Sequence, residues 1–444
     1  MTQQTTFKNI IIGFGKGGKT LAGYLAKQGE STAVIERLPK MYGGTCINVA
    51  CIPTKSLITQ AEKGIAYEVA QPIKELLTGS LREKNYTKLQ NLGVAIIDGE
   101  ASFITSDILR VKTNSEELTL TAERIFINTG TIPFIPDIEG IDGKFIYNST
   151  TLMELADIPK NIAVVGGGFI GLEFSNMLLH FGCNVTLIDR SEEFLPKEDR
   201  DIADAIRQSI EKQGLKIISN TGVSKFCEKE NHVDVHCENN GKSNIISADA
   251  VLIATGRTPE TARLNLSAAG ISTDKRGYIN VNSQLKTDAP NVWAIGDVHG
   301  GAQFTYISLD DFRIIKNQLS GGSYNSLEKR KDFPTTVFLT PSYARIGINE
   351  REAREQNIEY RVSALPATAI PKAAILKQQE GILKALIDTK NGKILGCMLF
   401  CAEAHEMINS IKIAMDAEIP YTTLRDTIYT HPTMSEAFND LFDL

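Results

Sequence analysis

"KNIIIGFGKGGKTLAGYLAKQG" (residues 8–29) decides the fold. An apolar, β-rich run reaches Gly13, Gly15 and Gly18 and passes at once into an amphipathic helical pattern, which a second short strand, "TAVIE", follows to Glu36. Each glycine has a task in such a strand, turn and helix. Gly13 permits the tight turn, Gly15 lets a pyrophosphate approach the backbone, and Gly18 lets helix and strand pack closely. Glu36 can accept hydrogen bonds from a ribose. The unit recurs as "NIAVVGGGFIGLEFSNMLLHFGCNVTLIDR" (161–190), with Gly166, Gly168, Gly171 and a closing acid, Asp189. In both copies the acid lies 23 residues after the first glycine. Two such units imply two dinucleotides, read here as one tightly held flavin and one exchanging nicotinamide.

The rest of the chain sets the context. Its 444 residues exceed what one core supports, and three domains are expected. A net charge of -6 with acids and bases mixed offers no basic stripe, which argues against a nucleic-acid partner. The start "MTQQTTFKNIIIGFGKGG" has no basic segment before its apolar run, and no apolar stretch reaches the roughly 18 residues of a membrane span. A cytoplasmic protein with no membrane partner is expected. Seven cysteines are too sparse for a stapled secreted fold, so any disulfide is expected to be chemical and not structural.

"RIFINTGTIPFIP" (124–136) and "VLIATGRTPET" (251–261) are short apolar strands stopped by Thr-Gly, read as the places where the chain crosses between domains. "NVWAIGDV" (291–298) is a buried strand ending at Asp297, an acid placed to reach a cofactor's hydroxyl chain. Residues 60–92 read as helical, with one solvated face. After about residue 330 the glycine motifs stop, and strands (335–349, 381–401) followed by helical "AHEMINSIKIAMDA" (404–417) predict an α+β module.

"GGTCINVACIPTK" (43–55) places Cys46 and Cys51 five positions apart. Packing, a metal pair and a redox couple compete for them. Two ligands cannot close a zinc site, and no nearby Cys or His supplies more, so no metal site is expected there. A dithiol beside a flavin is the arrangement that uses every neighbouring motif.

Taken in order, the two glycine units, "GGTCINVACIPTK", "ATGRTP", "AIGD" and a terminal "HPTMSE" (431–436) make the chain resemble the flavoprotein disulfide reductases, a family that includes glutathione reductase, lipoamide dehydrogenase and mercuric reductase. The resemblance covers essentially the whole chain. It implies an α/β fold: an FAD-binding domain (1–147 and 258–330), an NAD(P)-binding domain (148–257), both Rossmann-like, and a carboxyl-terminal α+β dimerisation domain (331–444). It also implies FAD and NADH, with NADPH as the other candidate. Cys51 would lie against the flavin and Cys46 would meet the substrate. His431 and Glu436 match an acid/base pair donated by the other subunit of a homodimer, whose active site is shared across the interface. Gly44, Thr45, Lys55, Ala101, Gly130 and Asp297 join the first glycine unit around FAD; Glu173 and Gly256 join the second around NAD(P). Lys55, one turn beyond Cys51, is expected by the flavin and paired with Glu173. A helix start at the cysteines should lower thiol pKa values. Ala50 replaces the family's usual glycine, a change tolerated if that residue is helical.

Departures from familiar members narrow the substrate. The tail "SEAFNDLFDL" lacks the second cysteine pair of mercuric reductases and large thioredoxin reductases, whereas "FTYISLDDFRI" (304–314), "CAEAHEMIN" (401–409) and the terminal motif resemble the bacterial branch that reduces hypothiocyanous acid. A small oxidant substrate is expected, with other disulfides, mercury(II) or copper(II) as alternatives. A flavin-bound sensor without turnover would not need both cysteines, Lys55, Glu173 and the His431 and Glu436 pair. Cys397, Cys401 and His405 fall across a strand and a helix. Cys227, His232, His236 and Cys237 fall on an expected exposed two-stranded hairpin, where alternate residues face opposite ways. Neither cluster predicts a metal site. Cys183 reads as packing, and His180 and His299 carry no assignment.

Overall fold

Strands Gln4–Ile12 and Thr32–Glu36, whose apolar runs are Ile10–Ile12 and Ala33–Ile35, are parallel neighbours, in register from Asn9 opposite Thr32 to Ile12 opposite Ile35. Both faces of such a sheet are covered, which is why these runs carry no polar alternation. Ile10, Ile11 and Val34 are fully buried, each contributing about 1.5–3 kcal/mol by leaving water. The computed structural model describes residues 4–444. Residues 1–3 of the amino-terminal stretch read above lie outside the described residues.

Two compact units emerge. The first comprises the chain up to Ser56, Val69–Phe134 and Gly256–Arg330. Its sheet runs Ala95–Asp98, Thr32–Glu36, Gln4–Ile12, Glu117–Ile127 in parallel, with Val292–Ala294 also parallel to Glu117–Ile127; Ile108–Lys112 and Glu100–Phe103 extend it antiparallel. Helix Lys16–Lys27 follows the first glycine turn, and helix Thr305–Ser320 packs beside it through the edge contact of Phe312 with Tyr24.

The second unit comprises Leu57–Glu68, Ile135–Thr255 and Lys331–Leu444. It holds the second glycine unit on a five-stranded parallel sheet, ordered Lys216–Ile218, Asn184–Ile188, Asn161–Val165, Ala250–Ile253, Ile146–Asn148. A five-stranded antiparallel sheet follows, Thr335–Val337, Ser342–Gly347, Ile394–Cys401, Ile382–Asp388, Tyr360–Pro366, backed by helix Ala404–Asp416. The two unit boundaries inside 124–136 and 251–261 fall at Phe134 and Thr255, in the stretches read as crossings. Residues 148–255 and the carboxyl-terminal module share this one unit. Among the ties is Lys384, 2% exposed, whose Nζ lies 3.0 Å from Asp199, 2.8 Å from Asp201 and 2.5 Å from Glu350.

One local expectation needs correction. The predicted hairpin is a three-stranded antiparallel sheet, Gly222–Glu228, Val233–Asn239, Lys242–Ala248, with Phe226, Val235 and Cys237 buried in a core. The third strand carries little apolar alternation and is exposed over Lys242–Ile245. The stretch 60–92 is helical, as expected, in the end of helix Cys51–Glu62 and in helix Tyr67–Gln90. Gly64, at φ +70°, ends the first. Among the described residues no helix is long and apolar enough to cross a membrane.

Candidate active site

The first glycine turn is a closed cradle. Gly13 sits at φ +98°, and a methyl there would lie 2.5 Å from Asn128 O. A methyl at Gly15 would lie 2.5 Å from Asn128 Oδ1. Asn128, just past strand Glu117–Ile127, braces the turn: its Oδ1 accepts from Gly18 N (2.9 Å) and its Nδ2 donates to Ile295 O (2.7 Å). Glu36 completes the motif, accepting from Phe14 N (3.0 Å) and Leu38 N (3.1 Å), while burial pushes its carboxyl above the usual range. The buried Thr129 Oγ1, beside Gly13, has no hydrogen-bond partner among the described residues. A backbone kept free of side chains, a helix N-terminus, an acid at the strand end and an orphaned hydroxyl fit a dinucleotide's pyrophosphate and ribose.

The loop that carries Cys46 and Cys51 lies on this cradle. Gly43 and Gly44 have φ of +96° and +81°, and a methyl on Gly44 would lie 2.7 Å from Gly15 Cα, so only glycine allows the approach. Thr45–Asn48 is a single helical turn, and Cys51 opens helix Cys51–Glu62. Ala50 lies between the two helices instead of inside one; it is tolerated because its φ is not in the left-handed region. Cys46 and Cys51 are hydrogen-bonded to each other, and Thr305 Oγ1, at the start of helix Thr305–Ser320, is 3.5 Å from Cys51 Sγ. The expected lowering of thiol pKa does not hold for Cys46. The hydrogen bond with Cys51, burial and negative charge on Cys51 push its thiol well up; Thr305 and Lys19 oppose this.

Other expected residues of this unit cluster nearby. Gly130 faces Thr45, a methyl on Gly130 lying 4.0 Å from Thr45 Oγ1. Asp297 accepts from Thr131 Oγ1 (3.3 Å), and burial raises its carboxyl while Arg257 opposes. Lys55 sits one turn along from Cys51. Ala101 differs: its side chain is buried in the sheet's hydrophobic core with Ile12 and Ile35, leaving only backbone to face a ligand.

In the second unit, a methyl on Gly166 (φ +113°) would lie 2.5 Å from Ala254 O, and one on Gly171 2.0 Å from Gly166 O. Gly168 has open space around it, as does Gly256, which opens the last segment of the first unit. Asp189 Oδ1 accepts from Ser191 N (3.3 Å) and Oγ (3.4 Å). Glu173, 8% exposed on helix Phe169–His180, accepts from Phe338 N at 3.0 Å.

His431 Nδ1 and Glu436 Oε2 are 2.7 Å apart, with His431 exposed and Glu436 mostly covered. The bond fixes the imidazole and leaves Nε2 outward. Cys397 and Cys401 are buried, Cys401 donating to Met407 Sδ (3.8 Å), and His405 contacts Ser342 Oγ (3.1 Å). No group of three or more potential metal ligands occurs among the described residues. Cys183 is buried, as read. His180 contacts Asn176 O (2.8 Å); His299 contacts the buried Asp311 (3.0 Å), which also accepts from Gly296 N (2.6 Å). Asn128, Thr305, Arg257 and Lys19 were not singled out in the sequence. The one available signal was a lysine on the apolar side of the glycine helix.

A family model described as pyridine nucleotide-disulphide oxidoreductase matches residues 7–311, and the dimerisation domain of the same family matches residues 333–442. The chain is 46% identical over 440 residues to the probable pyridine nucleotide-disulfide oxidoreductase RclA of Escherichia coli (strain K12), covering 99% of each. It is 31% identical to mercuric reductase of Staphylococcus aureus, over 96% of this chain and 80% of that one. A solved structure, the Cu(II) complex of the HOCl-induced flavoprotein disulfide reductase RclA from Escherichia coli, matches with a TM-score of 0.96 at 45% identity, covering 99% of each chain.

Proposed function

Because the chain belongs to the pyridine nucleotide-disulphide oxidoreductases, which implies FAD and NAD(P)H, we propose that it is an NADH-driven reductase of hypothiocyanous acid working through a Cys46–Cys51 disulfide. The observation that carries the reading is the hydrogen-bonded Cys46 and Cys51 pair on a loop packed against the first glycine turn. Gly13, Gly15, Gly18, Glu36, Gly44, Thr45, Lys55, Gly130 and Asp297 hold FAD, with Ala101 contributing backbone. Gly166, Gly168, Gly171, Glu173 and Asp189 hold the nicotinamide nucleotide. When bound, FAD supplies a two-electron relay between reduced nicotinamide and the disulfide.

The Cys46 thiolate attacks the electrophilic sulfur of HOSCN, forming an S–S bond as the S–O bond breaks. His431, oriented by Glu436 and contributed by a second copy in a homodimer, gives its proton to the departing hydroxide, which leaves as water. Cys51 then attacks the Cys46 sulfur and expels thiocyanate, restoring the disulfide. A 46% identical relative that is induced by HOCl, another electrophilic hydroxy oxidant, supports a substrate of this class. Asp189 at the end of its strand accepts from a ribose 2′-hydroxyl and repels a 2′-phosphate, which favours NADH over NADPH; the neighbouring Arg190 reduces the margin. Copper(II) is the second reading, favoured by two adjacent thiols and by the relative's Cu(II) complex.

The test is steady-state NADH oxidation against HOSCN, glutathione disulfide, lipoamide, mercury(II) and copper(II). Turnover of HOSCN should exceed the others by about two orders of magnitude or more, and Cys46→Ser should abolish it. Comparable turnover of lipoamide sinks the HOSCN assignment.

A further inference from the structure

Lys19 is the one charged side chain among the buried residues of helix Lys16–Lys27. Burying an ammonium costs several kcal/mol unless it is partnered, and an apolar residue would serve the helix's packing there. Its Nζ donates to Gly43 O at 3.2 Å. That carbonyl sits in the redox loop, three residues before Cys46, where Gly44 presses on Gly15. Lys19 is also close enough to Cys46 for their charges to interact. We propose that Lys19 is a positioning residue of the redox pair: its ammonium fixes the Gly43 carbonyl, and with it the turn Thr45–Asn48, and favours the attacking thiolate of Cys46.

The other groups facing this pair set the balance. Cys51 opposes the Cys46 thiolate by its hydrogen bond and negative charge, and Thr305 supports it from the start of its helix. Burial brings the Lys19 amine down to about 8, helped by Lys16 on its own helix and Lys88 from helix Tyr67–Gln90 and opposed by Cys46. Lys19 is therefore mostly charged at neutral pH, and its assistance fades as pH rises through about 8.

The inference rests on the reading of Cys46 as the attacking thiol. The FAD-loaded, full-length enzyme is reduced with NADH and alkylated with iodoacetamide at roughly pH 7, below the Cys46 midpoint, where the rate follows the thiolate fraction, and the modified peptides are mapped by mass spectrometry. In Lys19→Met and Lys19→Gln the alkylation rate of Cys46 should fall roughly tenfold. Lys19→Arg, which keeps the charge, should restore the rate to within about twofold. An unchanged rate in both neutral variants overturns the proposal, as does a loss that Lys19→Arg reproduces in full. If Lys19→Met fails to fold, the contrast between the Gln and Arg variants decides. Alkylation of Cys51 in place of Cys46 in the wild type overturns the parent reading instead.

Discussion

The two glycine turns share a sequence pattern and nearly a backbone, yet they are built differently. Gly15 and Gly168 cap their helices at φ, ψ of -67°, 174° and -75°, 179°. A methyl on Gly15 would strike Asn128 Oδ1 at 2.5 Å; one on Gly168 would meet nothing within 4 Å. The difference traces to one position. After its strand the first unit reads Ile127, Asn128, Thr129, Gly130, and the second reads Ile253, Ala254, Thr255, Gly256. Asn128 cross-braces the first turn to Ile295, whereas Ala254 offers only a methyl. A braced, filled turn suits a resident cofactor, and an open one suits a nucleotide that comes and goes.

Matched substitutions can break that comparison. Gly15→Ala is expected to do the most damage, because Asn128 is pinned by two hydrogen bonds and cannot swing aside: a loss of about 2–3 kcal/mol and of most bound flavin, read from thermal unfolding and the flavin-to-protein absorbance ratio. Asn128→Ala converts the first turn to the second's chemistry and leaves Gly18 N–H and Ile295 C=O unpaired, costing about 2 kcal/mol. The double variant should lose less than the sum, since Asn128→Ala removes the clash; strict additivity would count against a brace. Gly168→Ala should leave the unfolding midpoint unchanged while raising KM for NADH roughly tenfold, because the methyl meets no protein but stands where a pyrophosphate approaches. Equal damage from Gly15→Ala and Gly168→Ala would erase the distinction. The smallest effect is expected from Asp189→Ala, which should narrow the preference for NADH over NADPH several-fold in kcat/KM.

Legibility in the sequence followed the scale of the interactions. Glycine spacing, strand-end acids and the cysteine pair are local, so Gly13, Gly166, Glu36, Asp189, Cys46 and Cys51 could be read directly. Asn128 and Thr305 act across the fold on Gly18 and Cys51, and nothing in their immediate neighbours announces it; Lys19, which acts on Gly43, is marked only by its place on the apolar side of its helix. Strand Lys242–Ala248 carried too little apolar alternation to be seen, being mostly exposed. The thiol environment was read with the wrong sign for Cys46, because a helix start is a weaker influence than a second thiol within hydrogen-bonding reach.

The central claim is that Cys46 and Cys51 form the one redox-active disulfide among seven cysteines, and thiol counting tests it most directly. The oxidised enzyme, denatured anaerobically, should titrate five thiols per chain, the seven cysteines less this pair; after NADH it should titrate all seven, the two new ones mapping to Cys46 and Cys51. Seven thiols before NADH, or five both before and after, would contradict the account.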